Sequence, residues 1–390
     1  MTDPMPQKPR RRPRYAGKHP RRFDEKYKEH QPERYTAEVE KVLASGKTPA
    51  GTHRPIMVRE IMEILAPHPG EIAVDATLGY GGHAQEILRA IAPDGSSSGW
   101  CGGGCASRPV SGKAPGTGAS TTAASAKLTH YAPGGRLIGL DVDPVELPKT
   151  EARLRALGFG PEVFTTHRTN YAGLATLLAR EAPGGADLIL ADLGLSSMQI
   201  DNPARGFTFK AEGPLDLRMN PERGQPASAL LASINAAKLE QLLVENADEP
   251  NAALLARALL DQQARTPIMT TTALASVIRA ALATQPRLEP SDTIRRVFQA
   301  LRIAVNDEFS ALDTFLRHLP QCLRPGGRVA ILTFHSGEDR RVKQAFKAGL
   351  NEGVYSEIAR DVVRPSVDEL RANPRSASAK LRWARLRVDS

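Results

Sequence analysis

The sequence predicts an α/β protein built on a doubly wound parallel sheet, with a block of helices inserted into it. Three observations lead there. Short apolar segments ending in Asp recur between amphipathic stretches: EIAVD (Glu71–Asp75), RLIGLD (Arg136–Asp141) and ADLILAD (Ala186–Asp192). Strands and helices in that alternation cover both faces of a parallel sheet. A glycine-rich turn, Thr77–Gly82, joins the first strand to the next helix. From about Gly206 to Phe298 the pattern is helical without clear strands, and then GRVAILTF (Gly327–Phe334) reads as one more buried strand.

Taken in order, a short helix fits Tyr35–Leu43, ended by Gly46 and Pro49. Val58, Ile61, Met62 and Leu65 form the stripe of an amphipathic helix, stopped by Pro67 and Pro69. The first strand follows, then the glycine turn, then a helix from about His83 carrying Ala84, Ile87, Leu88 and Ile91. Residues 94–134 interrupt the pattern: 9 Gly, 7 Ser and 7 Ala among 41 residues describe a low-complexity insertion. Cys101 and Cys105 lie in it without further ligands of zinc-site spacing, and no metal is expected. After the second strand come a helix with Leu154 and Leu157, a strand at about Glu162–Thr165, and a helix with Leu174, Leu177 and Leu178. The fourth strand is the most apolar. A helix through Val342 and Phe346 follows the fifth. The resulting division is a basic extension (1–50), a core in two parts (51–205 and 299–359), a helical block (206–298) and a basic C-terminal segment (360–390).

Composition narrows the function. With 41% hydrophobic and 24% charged residues the chain is not disordered throughout. It has no apolar run near the roughly 20 residues that cross a bilayer, and no secretory leader is evident. Three cysteines make no disulfide framework, so a reducing cytoplasm is expected. The net charge of +9 is uneven: residues 1–22 carry eight basic side chains and one acid. That arm is suited to a polyanion, or is simply a solvated terminus.

The chemistry concentrates after the strands. In DATLGYGGH (Asp75–His83), glycines let a ligand approach the backbone, and the following helix start favours an anionic group. The spacing is not the dinucleotide fingerprint GxGxxG. Asp141 follows Gly82 by 59 residues, but by 18 once the 41-residue insertion is set aside. An acid at about that offset reaches ribose hydroxyls in nucleoside-binding sheets, although a turn carboxylate is the other reading. DLGLSSMQID (Asp192–Asp201) puts a carboxylate, a glycine and two hydroxyls at the next strand end, either as ligand groups or as helix caps. Arg205, Asp216 and Arg218 continue this polar run.

At these residues the chain resembles a known family. HRPIMVREIM, DATLGYGGHA, GLDVDP, DLGLSSMQIDNPARGFTF, GPLDLRMNP, FQALRIAVNDE, TFHSGEDRRVK and NPRSASAKLR run in order from His53 to about Arg385. They are similar to the 16S rRNA (cytosine-N4)-methyltransferases known as MraW or RsmH. The resemblance implies a Rossmann-like class I S-adenosylmethionine-dependent methyltransferase, acting on a cytidine in the decoding region of 16S rRNA within the small ribosomal subunit. Its cofactor contacts map onto Gly81, Gly82, His83, Asp141, Tyr171, Asp192 and Gln199. For His83 the neighbouring backbone, rather than the imidazole, is the alternative contact. Because a cytosine amine is a poor nucleophile, groups that accept its protons would assist transfer. Asp192 or a neighbouring carbonyl is the candidate acceptor, with Ser196 and Ser197 as further catalytic candidates, and Asn306, His335 and Glu338 are candidates for the cytidine pocket. Asn306 and Glu338 also fit structural roles, in a helix interior and at a helix start.

Three departures stand out: Gly337 in HSGEDR where the family has an apolar residue, NADEPN (Asn246–Asn251) in the helical block, and the two inserted segments. In the C-terminal segment Arg and Lys can meet phosphates, while Trp383 either stacks on a base or anchors the tail. A nicotinamide-dependent dehydrogenase, a non-catalytic RNA-binding protein and a methyltransferase acting on DNA or protein amines are the competing classes. The basic arm yields a first test. Removing residues 1–46 should weaken rRNA binding and flatten its salt dependence while leaving cofactor affinity unchanged; equal salt slopes for both forms would refute the arm's role.

Overall fold

The computed structural model describes residues 55–92, 134–283 and 290–388. The N-terminal arm, the 35–43 helix and the low-complexity insertion apart from Gly134 lie outside the described residues. Seven strands form one sheet: β1 (Ile72–Asp75), β2 (Arg136–Asp141), β3 (Phe164–Arg168), β4 (Ala186–Asp192), β5 (Leu323–Thr333), β6 (Tyr355–Ile358) and β7 (Lys380–Leu386). Their order is β3-β2-β1-β4-β5-β7-β6. The first five pair in parallel, and β7 runs antiparallel to both its neighbours.

Side chains alternate between the two faces of each strand. Ala73, Leu137, Leu188, Leu190, Ala330 and Leu332 enter one core. Val74, Ile138, Ile189, Ala191, Val329 and Ile331 enter the other. Helices α1 (Val58–Leu65), α2 (Gly82–Ile91) and α3 (Glu146–Ala156) cover the first face, and α4 (Leu174–Glu181) the second. Burial on both faces explains why the strands read as continuous apolar runs.

After β4 a short α5 (Ser197–Asp201) leads into the helical block of α6 (Ala227–Ser233), α7 (Ala236–Ala247), α8 (Ala252–Arg265), α9 (Thr271–Leu282) and α10 (Pro290–Asn306). The block has its own core, with Leu239, Leu243, Leu255, Leu259, Ile278, Val297 and Leu301 fully buried. The anticipated end of the block at Phe298 falls inside α10, so one continuous helix carries the chain back to the sheet. There α11 (Glu308–Cys322) and α12 (Ser336–Asn351) join α4 on the second face. Finally, α13 (Val367–Ala372) precedes β7 and holds the start of α1, since Glu369 Oε1 accepts the Met57 backbone N–H at 2.8 Å.

Strands β2 and β4 have the predicted bounds, whereas β3 lies two or three residues later than expected and β5 starts earlier, at Leu323. The basic C-terminal segment is not a tail: β7 is an internal strand. Its sequence, KLRWARL, conceals this because buried Arg382 takes a core position by pairing with Asp339 Oδ1 at 2.6 Å. Trp383 packs partly buried against the first core, as the anchoring role requires. Among the described residues no helix is long and apolar enough to cross a membrane.

Candidate active site

The strand order reverses between β1 and β4, and such a switch point opens a crevice at the strands' carboxyl ends. Asp75, Asp141 and Asp192 end the three adjacent strands there. The glycine turn is built onto these ends. Leu78 N–H donates to the Leu140 carbonyl at 2.7 Å, Gly79 N–H to Asp141 Oδ2 at 2.8 Å, and Asp192 N–H to Thr77 Oγ1 at 2.6 Å. Gly81 has φ +71°, and a Cβ there would lie 2.9 Å from the Thr150 methyl. At Gly82 the obstacle is Pro55, also at 2.9 Å. Both glycines are therefore required for close packing of α2. By contrast, a Cβ on Gly79 would meet nothing nearer than the Thr77 carbonyl at 3.7 Å, so the turn is open above it.

Burial governs the carboxylates. Asp75, 2% exposed, is pushed up to about 7 by desolvation, with His83 and the Thr77 amide opposing and the charges of Asp192 and Asp141 adding. Asp192 is pushed up to about 7 by desolvation and then by Glu338. Asp141 rises to about 6 through desolvation, offset by the amides of Asp143, Gly79 and Val142. Its two oxygens accept Gly79 N–H and Asp143 N–H, both at 2.8 Å, which leaves a carboxylate's remaining lone pairs for other donors. This set of acceptors fits S-adenosylmethionine: Asp141 would hold ribose hydroxyls, and the acids would suit a cationic ligand.

His83, 7% exposed, bonds through Nε2 to the Ile56 carbonyl at 2.9 Å and places Nδ1 3.5 Å from Asp192 Oδ2. Burial holds its imidazole below the ordinary histidine range, against the Ile56 carbonyl and nearby carboxylates. Ser196 and Gln199 form a capping box on α5: Ser196 Oγ accepts Gln199 N–H, and Gln199 Oε1 accepts Ser196 N–H. The other end of the Gln199 amide donates to Asp143 Oδ2 at 2.8 Å. Ser197 begins α5, and its side chain lies outside the described residues.

Nothing in the GLDVDP segment marks Asp143 for a role, yet the structure gives it a central one. It is fully buried and accepts from Val145 N–H, Glu146 N–H, Gln199 Nε2 and, at 2.7 Å, Arg205 Nη1. Arg205 also donates to the Met219 carbonyl at 2.8 Å. The loops after β2 and β4 are thereby tied to the helical block.

The second group of candidates lies between α10, α11 and α12. Glu338 is held below its ordinary range: burial raises it, but His335, Arg302 and the Phe334 amide together outweigh that effect. His335 caps α12, with Nδ1 accepting Glu338 N–H and Nε2 3.1 Å from Glu338 Oε1. Arg302 grips Glu308 through two bonds of 2.7 and 2.8 Å. Tyr171 reaches the Glu308 carbonyl at 3.4 Å and meets Phe315 edge-on at 5.5 Å. Asn306 is committed elsewhere: its amide donates to the Leu217 and Arg302 carbonyls and accepts Met219 N–H, all within 2.8 Å. It secures the Gly213–Asn220 segment to α10.

Two departures now have physical reasons. A Cβ on Gly337 would lie 2.6 Å from the Phe309 ring, which Arg341 covers on one side at 3.9 Å and His335 meets at a centroid distance of 5.8 Å. Glycine makes room for that ring. In NADEPN, Asp248 Oδ2 accepts from Ser336 Oγ at 2.9 Å, and buried Glu249 pairs with Arg296. The segment thus fastens the helical block to the start of α12 and secures α10.

A sheet of this order, with a glycine turn and acids at its adjacent strand ends, has the form of a nucleoside-binding α/β sheet. Residues 50–98 and 117–387 match the MraW methylase family, and the chain belongs to that family. Its methyl donor is S-adenosylmethionine. The chain is 45% identical over 380 residues to ribosomal RNA small subunit methyltransferase H 1 of Lachnoclostridium phytofermentans, covering 96% of this chain and 92% of that one. It is 46% identical to ribosomal RNA small subunit methyltransferase H 2 of Alkaliphilus metalliredigens, covering 97% and 98%. Shorter relatives exist too: the Symbiobacterium thermophilum protein, 37% identical, covers 85% of this chain but 95% of its own length. The longer relatives therefore align with much of the N-terminal extension.

Asp141→Asn should weaken cofactor binding at least tenfold in equilibrium titrations, with the fold preserved; unchanged affinity would remove its ribose role. An acid whose folded pKa lies above its unfolded value keeps its proton longer in the folded state, so Asp75, Asp192 and Asp141 lower stability as pH rises from about 4 towards 7. Asp192→Asn should accordingly raise stability at pH 8 by on the order of 1–2 kcal/mol, reduced because its side chain is 24% exposed. Denaturant melts at pH 4 and pH 8 measure this, and an equal effect at both would contradict it. Gly337→Leu should cost about 1–3 kcal/mol by overpacking, with much of the loss recovered when Phe309→Ala is added. A neutral single variant would show that the ring yields freely.

Proposed function

We propose that the protein methylates the exocyclic N4 of a cytidine in the decoding region of 16S rRNA, within the small ribosomal subunit in the cytoplasm. The observation that carries this reading is the near full-length similarity, at 45–46% identity, to proteins named ribosomal RNA small subunit methyltransferase H. The site chemistry supports it. S-adenosylmethionine, when bound, supplies a methyl group on a positively charged sulfur.

The protein's part is placement and charge. The open turn at Gly79 and the first turn of α2 receive the donor's amino-acid portion, with Gly81, Gly82 and His83 contributing backbone. Asp141 takes the ribose hydroxyls through its remaining lone pairs, and Tyr171 offers its ring beside the adenine. Gln199 acts through Asp143, by holding the loop that carries Asp192. In-line placement of N4 against the methyl carbon does most of the catalytic work. Asp192 accepts hydrogen bonds from the amino group, localising its lone pair, and stabilises the positive charge that develops there. Glu338 and His335 border the cytidine side of the crevice. Ser196 and Asn306 position backbone, through the α5 cap and the Gly213–Asn220 segment.

A single-turnover assay on unmodified small subunits, read by nucleoside mass spectrometry, tests the substrate, the atom and the activity together. N4-methylcytidine should appear in the decoding region and be lost with Asp192→Ala. A folded, cofactor-binding protein that forms none on competent subunits would instead be a non-catalytic RNA-binding assembly factor. Methyl transfer to DNA or protein in a labelled competition would redirect the reading to another substrate.

A further inference from the structure

The imidazole of His83 has no part in the functional reading above, which uses only its backbone, yet its surroundings are specific. The Ile56 carbonyl can only accept, so Nε2, 2.9 Å away, carries the ring hydrogen. Nδ1 is then left with its lone pair, 3.5 Å from Asp192 Oδ2. Two lone pairs face each other across that gap, and a single proton between them satisfies both. Carboxylates face the ring from every side that packs on it: Asp75 from β1, Asp192 from β4, Glu86 from α2 and Glu369 from α13. Asp192 in turn faces Glu338 from α12. A ring that is 7% exposed, with one nitrogen committed to Ile56 and the other aimed at Asp192, is turned towards the carboxylate.

We propose that His83 is a positioning residue for Asp192: its side chain orients that carboxylate and shares the proton released by methyl transfer, rather than contacting the cofactor. The inference rests on the N4 reading. The N4 lone pair forms the new bond to the methyl carbon while the carbon–sulfur bond breaks with its electron pair going to sulfur. N4 then bears the positive charge and gives up a proton to Asp192. The carboxylate shares that proton with Nδ1 across the 3.5 Å gap, and the partly exposed side of Asp192 returns it to solvent after product leaves.

The pair must be free of the shared proton before transfer, so the single-turnover rate should rise with pH to a plateau. A proton shared by two groups is held more tightly than by one. In His83→Gln the amide can keep the bond to Ile56 but no longer takes a proton. Its plateau rate should fall tenfold or more, its acid limb should move to lower pH by about one unit, and its S-adenosylmethionine affinity should stay within about threefold. A rate lowered equally at every pH, or an affinity lost in step with the rate, would overturn the proposal. Nuclear magnetic resonance of ring-labelled histidine in the cofactor-free protein gives a readout independent of activity. His83 should show the Nε2–H form, with a titration midpoint that drops in Asp192→Asn; the opposite tautomer or an unmoved midpoint would overturn the pairing. That arm also decides the matter if His83→Gln does not fold. If wild-type enzyme yields no N4-methylcytidine, the functional reading fails while the resonance arm still reports on the pair.

Discussion

The site depends first on the burial of Asp143. Four donors meet one fully buried carboxylate, and they come from three parts of the chain: the start of α3, the α5 cap, and Arg205 at the approach to the helical block. A charge in that position is tolerated only because every donor is present, and removing one partner of such a pair typically costs about 3–5 kcal/mol. Asp141 lies two residues away and Asp192 lies seven residues before Gln199. The geometry of both acids therefore follows from this junction. Arg205 extends it to Met219, and Asn306 extends it again from Met219 to α10. The helical block is coupled to the cofactor crevice through hydrogen bonds in series.

The three strand-end acids pull in the other direction. Burying Asp75, Asp141 and Asp192 side by side lowers stability near neutral pH, and no lysine or arginine side chain is hydrogen-bonded to any of them among the described residues. A purely structural sheet would place apolar residues or paired charges here. Under the proposed function the arrangement has a chemical purpose, since acids without a basic side chain beside them suit a cationic ligand. Strain of this kind concentrates where function requires it, and the apolar faces of β1, β2 and β4 supply the compensating stability.

What the sequence revealed follows from how each residue earns its position. Strands β2 and β4 are buried on both faces, so their apolar runs end where the strands end. Strands β6 and β7 escaped notice because β7 alternates apolar residues with Lys and Arg, and Arg382 enters the sheet only by virtue of Asp339, more than forty residues earlier. The glycine turn, Asp141 and Asp192 were legible because they sit at strand ends. Asp143 was not, since nothing local shows that its partners come from residues 199 and 205. Ser196 and Asn306 illustrate the converse. Both are polar residues beside the site, and the structure shows each in a structural task as well, a capping box and a three-bonded amide.

Charge is subject to the same distinction between composition and placement. Many arginines of the folded chain are committed to internal ties: Arg205 to Asp143, Arg218 to Asp216, Arg296 to Glu249, Arg302 to Glu308, Arg328 to Glu71 and Arg382 to Asp339. Such pairs fix loops and strands, and their field at the surface largely cancels. A long polyanion would thus find little uniform attraction on this body. Under the proposed function its recognition would rest on the shape of the crevice and on local groups at its rim, with the basic residues 1–22 the expected source of non-specific affinity. On that reading affinity would vary with the arm, while the crevice would select the base.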